Sequence, residues 1–158
     1  MIDAHTPDAE HPGTGGVAGA DPAAGDPRVL VVTVPADSTR LPALRRRLGR
    51  WLDGRGVTGP LRDDVVLAAD EAVANSVEHG YRERLGGLVG VTVTVLEESV
   101  TLVVVDHGAW KPPAPDREDA RGWGLRMVAA LAERLDVVHA NGRTTVTAHF
   151  RRDAGCRG

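Results

Sequence analysis

Several of the residues on which common protein classes depend are scarce here. There is one cysteine, Cys156, close to the C-terminal end of the 158 residues. An internal disulfide framework and a cysteine-based metal centre are both excluded. Aromatic residues make up only 3% of the chain, so aliphatic side chains must build the core. No apolar run approaches the roughly 18 residues of a membrane-spanning helix. The N-terminus lacks the basic-then-apolar pattern of a secretory leader. A surplus of positive charge is also missing: 19 basic residues face 22 acidic ones, a net charge of −3. That balance argues against a protein that holds nucleic acid by bulk electrostatics. What remains, 42% hydrophobic and 26% charged residues, is globular composition in a length that suits one domain. The expectation is a soluble, cytoplasmic, single-domain protein with neither membrane nor nucleic acid as a direct partner.

Charge is unevenly distributed. The first 27 residues are rich in Pro, Gly, Ala and Asp and hold Asp3, Asp8, Glu10, Asp21 and Asp26 with no Lys or Arg. Taking these five from the 22 acids leaves 17 against 19 bases, so the remainder of the chain carries +2 and the leading segment −5. Such a segment buries too little apolar surface to offset its ordering entropy. Residues 1–27 therefore read as a disordered acidic tail or plain spacer, 28–152 as the folded body, and 153–158 as a second loose end.

Within the body, Arg28 to Pro35 is a β-branched run closed by proline, hence a strand. Asp37 or Ser38 can cap a helix from Leu41 to Leu52, whose Leu41, Leu44, Leu48, Trp51 and Leu52 fall at helical spacing. Gly54, Gly56, Gly59 and Pro60 interrupt it. A second helix is predicted from Leu61 to Tyr81, with Leu61, Val65, Ala69, Ala72, Val73 and Ser76 as one stripe and Gly80 as its stop. Val89–Leu96 and Val100–Asp106 read as strands around the turn Glu97-Glu98-Ser99. A proline-rich loop, His107 to Arg121, leads to a helix over Gly124–Arg134. Strands Leu135–His139 and Thr144–Arg151 flank Asn141-Gly142, a strong hairpin signal. The order β α α β β loop α β β predicts an α/β two-layer sandwich, a mixed, mostly antiparallel sheet with helices on one face.

Three groups of residues carry chemistry. Glu71, Asn75 and His79 are spaced i, i+4, i+8 on the second helix, beside its apolar stripe. An amide oxygen such as that of Asn75 is a hard ligand suited to Mg²⁺, and Glu71 is placed to orient or deprotonate a nucleophile nearby. Taken alone, the row reads equally as the polar face of an amphipathic helix. Asp106-His107-Gly108 ends an apolar strand. Its carboxylate either closes an Asx-type turn or accepts from an exocyclic amine such as that of adenine, with Gly108 admitting a flat base. Arg121-Gly122-Trp123-Gly124-Leu125 opens the third helix. Two glycines at a helix N-terminus expose backbone N–H groups to an anion, or simply shape a tight loop. Neither a P-loop nor a Rossmann fingerprint occurs.

The order and spacing of these groups are more specific than any one of them. The run from Glu71 to Tyr81 resembles the N-box of the anti-sigma factor serine/threonine kinases of the GHKL (Bergerat-fold) ATPase superfamily. Asp106-His107-Gly108 resembles their adenine box, Arg121 to Met127 their glycine box, and Gly142 to Val146 the terminal Gly-Thr strand of the nucleotide site. The resemblance covers about residues 28 to 151 and is of the actinobacterial type. It implies a Bergerat sandwich that binds ATP with Mg²⁺. By position, Glu71 would be the catalytic base and Asn75 the metal ligand. His79, Asp106, Gly108, Arg121, Gly122, Gly124, Leu125 and Thr144 or Thr145 would line the nucleotide site. It further implies a sigma factor and a STAS-domain anti-anti-sigma protein as partners, phosphorylation of the latter on Ser or Thr, and a homodimer.

The family's adenine box often runs D-x-G-x-G, and here the second glycine is Trp110, followed by Lys111, Pro112, Pro113 and Pro115. Proline stiffens that lid, which bears on lid closure more than on nucleotide binding. Three other readings stand beside the kinase: a nucleotide-binding module that acts by sequestering a sigma factor or STAS partner, a detached histidine-kinase ATP domain, and a metal site built from His79, Asp106 and His107.

Overall fold

A computed structural model describes residues 25–80, 86–108 and 123–153. The boundaries expected after residues 27 and 152 adjoin segments 1–24 and 154–158, which lie outside the described residues. The elements are β1 (Val29–Pro35), α1 (Leu41–Asp53), α2 (Gly59–Asn75), β2 (Leu88–Val95), β3 (Ser99–Asp106), α3 (Trp123–Leu131), β4 (Arg134–Ala140) and β5 (Arg143–Arg151). The five strands form one sheet in the order β1-β2-β3-β5-β4. All four pairings are antiparallel, so the parallel pair that a mixed sheet would contain is not formed among the described strands.

Local chemistry accounts for most of the element ends. Of the two candidate caps before α1, Asp37 is the one used: its backbone is extended and its Oδ1 accepts from the Thr39 N–H at 2.9 Å, starting a 3₁₀ turn over Ser38–Arg40 that leads into the helix. That backbone donor holds the Asp37 carboxyl below the usual carboxylate range. The hairpin signal at Asn141-Gly142 is met: both residues take positive φ, 54° and 69°, as a tight turn of this kind requires. Two expectations are corrected. Gly59 and Pro60 begin α2 rather than precede it. Gly59, at φ 62°, turns the chain in, and proline costs nothing in a first turn whose N–H groups are unpaired anyway. The third helix ends at Leu131, not Arg134. The Glu133 N–H leaves it to bond His149 O of β5 at 2.8 Å, and Arg134 already belongs to β4.

The core lies between one sheet face and the helices. Alternation sends Val89, Val91, Val93 and Val95 of β2 and Val100, Leu102 and Val104 of β3 inward, all buried. Against them α2 presents Val65, Ala68, Ala69, Ala72 and Val73, small side chains that let its backbone approach the sheet closely. Leu44, Leu48 and Leu52 of α1 close one flank, and Val128 of α3 the other. With aromatics so few, valine does most of the filling, and Phe150, the one phenylalanine, is 2% exposed. Leu48 is fully buried at the middle of α1. Leu48→Ala should therefore lower the unfolding free energy by about 2–5 kcal/mol, read as a shifted urea midpoint.

Candidate functional site

The C-terminal end of α2 is where the sequence motifs meet. Glu71 and Asn75 lie one turn apart on the same side of the helix, both half-buried. After Asn75 the hydrogen-bond ladder widens into a π-helical turn over Ser76–Gly80, a feature common at functional sites. The α-helical period that aligns Glu71 with Asn75 therefore stops short of His79, contrary to the row of three expected from spacing. The His79 side chain lies outside the described residues.

Ser76, the first residue of the wide turn, is 2% exposed. Its Oγ lies 3.1 Å from Ala72 O and 2.7 Å from Asp106 Oδ2. A hydroxyl has one proton to donate, and the nearer, charged acceptor takes it. Asp106, the last residue of β3, is 5% exposed. Its Oδ1 accepts from the Gly108 N–H at 3.0 Å. The Asx-type turn thus exists. Of roughly four lone-pair positions on a carboxylate, these two donors take two, and among the described residues no other donor occupies the rest. Gly108 is itself buried, directly beside the carboxylate.

The other strands and α3 complete the cluster. Thr144 of β5 is the register partner of Asp106, and its buried side chain shares the helix-covered face. Its Oγ1 lies 3.1 Å from His139 Nδ1. Thr145 is one residue out of phase, paired with Val105 and Val138. Strict alternation puts it on the opposite face of the sheet, so the choice between the two threonines falls on Thr144. Gly124, in the first turn of α3, faces Glu71: a Cβ there would lie 2.7 Å from Glu71 Oε2. Glycine at this position leaves the carboxylate its space. Leu125 packs against the hydrophobic core, so its side chain supports the helix rather than lining the cluster. Arg121, Gly122, Trp110 and Lys111 lie outside the described residues.

The donor set suits a magnesium nucleotide. The Asn75 amide oxygen is a hard ligand of the kind Mg²⁺ takes together with phosphate oxygens and waters, and the Glu71 carboxylate one turn away is placed to hold a hydroxyl beside it. The space left by Gly124 opens on that carboxylate. Among the described residues no group of three or more His, Cys, Asp or Glu side chains can hold a metal ion; of the alternative site, only Asp106 and His107 have described side chains.

Sequence reading missed Ser76 as a site residue and counted it only as part of the apolar stripe. The available signal was a hydroxyl in an otherwise aliphatic stripe, since a buried polar group needs a partner.

A five-stranded antiparallel sheet covered on one face by helices is the fold of a GHKL-like ATPase domain. A family model described as histidine kinase-like ATPase domain matches residues 34–150, and the chain belongs to that family. Similar proteins include an anti-sigma F factor of Clostridium beijerinckii, 32% identical over 93 residues, 52% of this chain and 65% of that one. An anti-sigma F factor of Clostridium novyi is 42% identical over 84 residues, 47% and 59% of the two chains. The serine-protein kinase RsbW of Staphylococcus aureus is 30% identical over 80 residues, half of each chain. The chain thus spans about half to two thirds of the length of the curated relatives it matches. Among solved structures, the RsbU and RsbW domains of Rv1364c from Mycobacterium tuberculosis match with a TM-score of 0.59 and 28% identity, over 80% of this chain and 33% of that one. A histidine kinase domain from Erythrobacter litoralis shares the fold, with a TM-score of 0.51 at 21% identity over 74% of this chain and 61% of that one. No helix among the described residues is long and apolar enough to cross a membrane.

The Ser76–Asp106 bond gives a direct test of the cluster. Ser76→Ala leaves a buried carboxylate short of a donor, so it should cost about 1–3 kcal/mol of stability by calorimetric or urea unfolding, well beyond the effect of an exposed serine.

Proposed function

We propose that this chain is an anti-sigma regulatory factor that binds Mg·ATP and phosphorylates a STAS-domain anti-anti-sigma protein on Ser or Thr. The observation that carries the reading is the convergence of Glu71, Asn75, Asp106 and Gly124 through the Ser76–Asp106 bond and the Gly124–Glu71 approach. Asp106 accepts a hydrogen bond from the adenine amine. Gly108 lies beneath the ring, and the Thr144 hydroxyl faces the same side. Asn75 supplies the amide oxygen that holds the metal. When bound, Mg²⁺ neutralises charge on the phosphates. Glu71 orients the acceptor hydroxyl and takes its proton as the γ-phosphoryl group passes to that oxygen, its bond to the β,γ-bridging oxygen breaks and ADP leaves with that oxygen. Arg121 and Gly122, at the start of the glycine segment, belong to the phosphate side of the proposal, and His79 to the N-box. The sigma factor is the partner held when the STAS protein is phosphorylated. A partner of that class implies work in the cytoplasm, and a homodimer is the assembly in keeping with the resemblance.

Trp110 in place of the second adenine-box glycine favours a second reading, a module that binds nucleotide and regulates by sequestration alone. Phosphate transfer separates the two. Incubated with Mg·ATP and a STAS-domain protein, the wild-type chain should label the acceptor. Glu71→Gln should lower the rate by about 10²-fold or more while nucleotide still binds by calorimetry. Transfer absent from the wild type, with nucleotide bound, selects the module. Asp106→Asn should lose adenine affinity, and Asn75→Ala should lose the Mg²⁺ dependence of binding.

Gly124→Ala should separate stability from activity. Alanine favours a helix over glycine by about 1 kcal/mol, and the group it displaces is the movable end of a glutamate. Thermal stability should hold or rise while phosphoryl transfer falls about tenfold or more, the cost of a misplaced base.

A further inference from the structure

The charge segregation in the sequence has a counterpart on the folded surface. On α1, Leu44, Leu48 and Leu52 face the core. Arg46, Arg47 and Arg50 lie opposite, within about 100° of arc at about 100° per residue. All three are exposed, and none makes a side-chain hydrogen bond or ion pair among the described residues. Arg45, on the flank, differs: it reaches Asp70 of α2 at 3.4 Å. Like charges at i, i+3 and i, i+4 repel along a helix, so this face is the part of α1 that gains most from an outside anion.

The chain enters the fold at one end of the same helix. Arg55, two residues beyond α1, donates from Nε to Pro27 O at 2.8 Å, and its guanidinium lies 4.5 Å above the Trp51 ring. The leading segment is thus delivered to the C-terminal end of α1, the end that carries Arg50. Asp26 is already committed: Arg28 bonds it at 2.6 Å and pulls its carboxyl down to about 2. The acids left upstream are Asp3, Asp8, Glu10 and Asp21, with no Lys or Arg among them.

We propose that the acidic segment 1–24 docks on the Arg46, Arg47 and Arg50 face of α1 of its own chain, as a salt-sensitive cover over that helix. Reach permits it. At about 3.4 Å per residue, the four residues from Gly25 to Asp21 span up to about 14 Å and the fifteen to Glu10 about 50 Å; α1 is about 20 Å long. Exposed ion pairs are individually weak, but a short tether supplies millimolar effective concentration. That favours the chain's own segment over a second copy or a separate acidic protein. The Arg46, Arg47 and Arg50 face shares no residue with the proposed nucleotide site.

A spin label on the full chain, at Ala9→Cys in a Cys156→Ser background, tests it by amide line broadening. At about 20 mM salt the amides of Arg46, Arg47 and Arg50 should lose roughly half their intensity or more. They should recover at about 1 M salt, where the Debye length is about 3 Å. They should also recover in Arg46→Glu/Arg47→Glu/Arg50→Glu, and in Asp3→Asn/Asp8→Asn/Glu10→Gln/Asp21→Asn, which leaves the folded body untouched. Unbroadened amides at low salt overturn the proposal, as expected if a separate acidic protein is the occupant. So does broadening that survives both charge variants. Broadening seen only between labelled and isotope-enriched copies, when the two are mixed, assigns the face to a second copy and also overturns it.

Discussion

The hydrogen bond from Ser76 to Asp106 joins two parts of the chain 30 residues apart, and the geometry of the site depends on it. It fixes the end of α2 against the end of β3, and so sets where Asn75 sits relative to the buried carboxylate. The same carboxylate organises the next turn of chain through the Gly108 N–H. A charged group almost wholly removed from water must be satisfied on most sides. The two donors among the described residues fix Asp106 in place and leave part of its lone-pair capacity uncommitted there.

The glycine segment addresses the site from the other side. Gly124 matters for what it omits. The atom it lacks would occupy the space of Glu71 Oε2, so α3 approaches α2 at a distance only glycine permits without moving the carboxylate. Thr144 enters through strand register, opposite Asp106. Three connections of different kinds, a hydrogen bond, a missing methyl group and a β-ladder, thus bring together segments that the sequence keeps far apart.

What the sequence made legible was whatever depends on near neighbours. The Glu71–Asn75 spacing, the Asp37 cap and the Asn141-Gly142 turn each follow from a local rule, and the strands follow from β-branched runs closed by turn residues. What it hid depends on tertiary contact. Ala132 and Glu133 are compatible with helix, and α3 stops because Glu133 bonds to β5. The hydroxyl of Ser76 acquires its role only once α2 crosses the sheet. The widened turn at Ser76–Gly80 broke a periodicity that residue spacing alone extended to His79. Thr144 and Thr145 were separable from alternation within β5, once the buried face of that strand was identified.

The stripe of small residues on α2 ties interior volume to chemistry. Ala68, Ala69 and Ala72 set how near this rod lies to the sheet, and the same stretch of rod carries Glu71 and Asn75 on its half-buried side. A bulkier side chain in the interior would lift the rod and carry its carboxylate and amide away from the strand-end aspartate. Drift in the packing of neighbouring, chemically inert positions would therefore register as a change in the alignment of reacting groups.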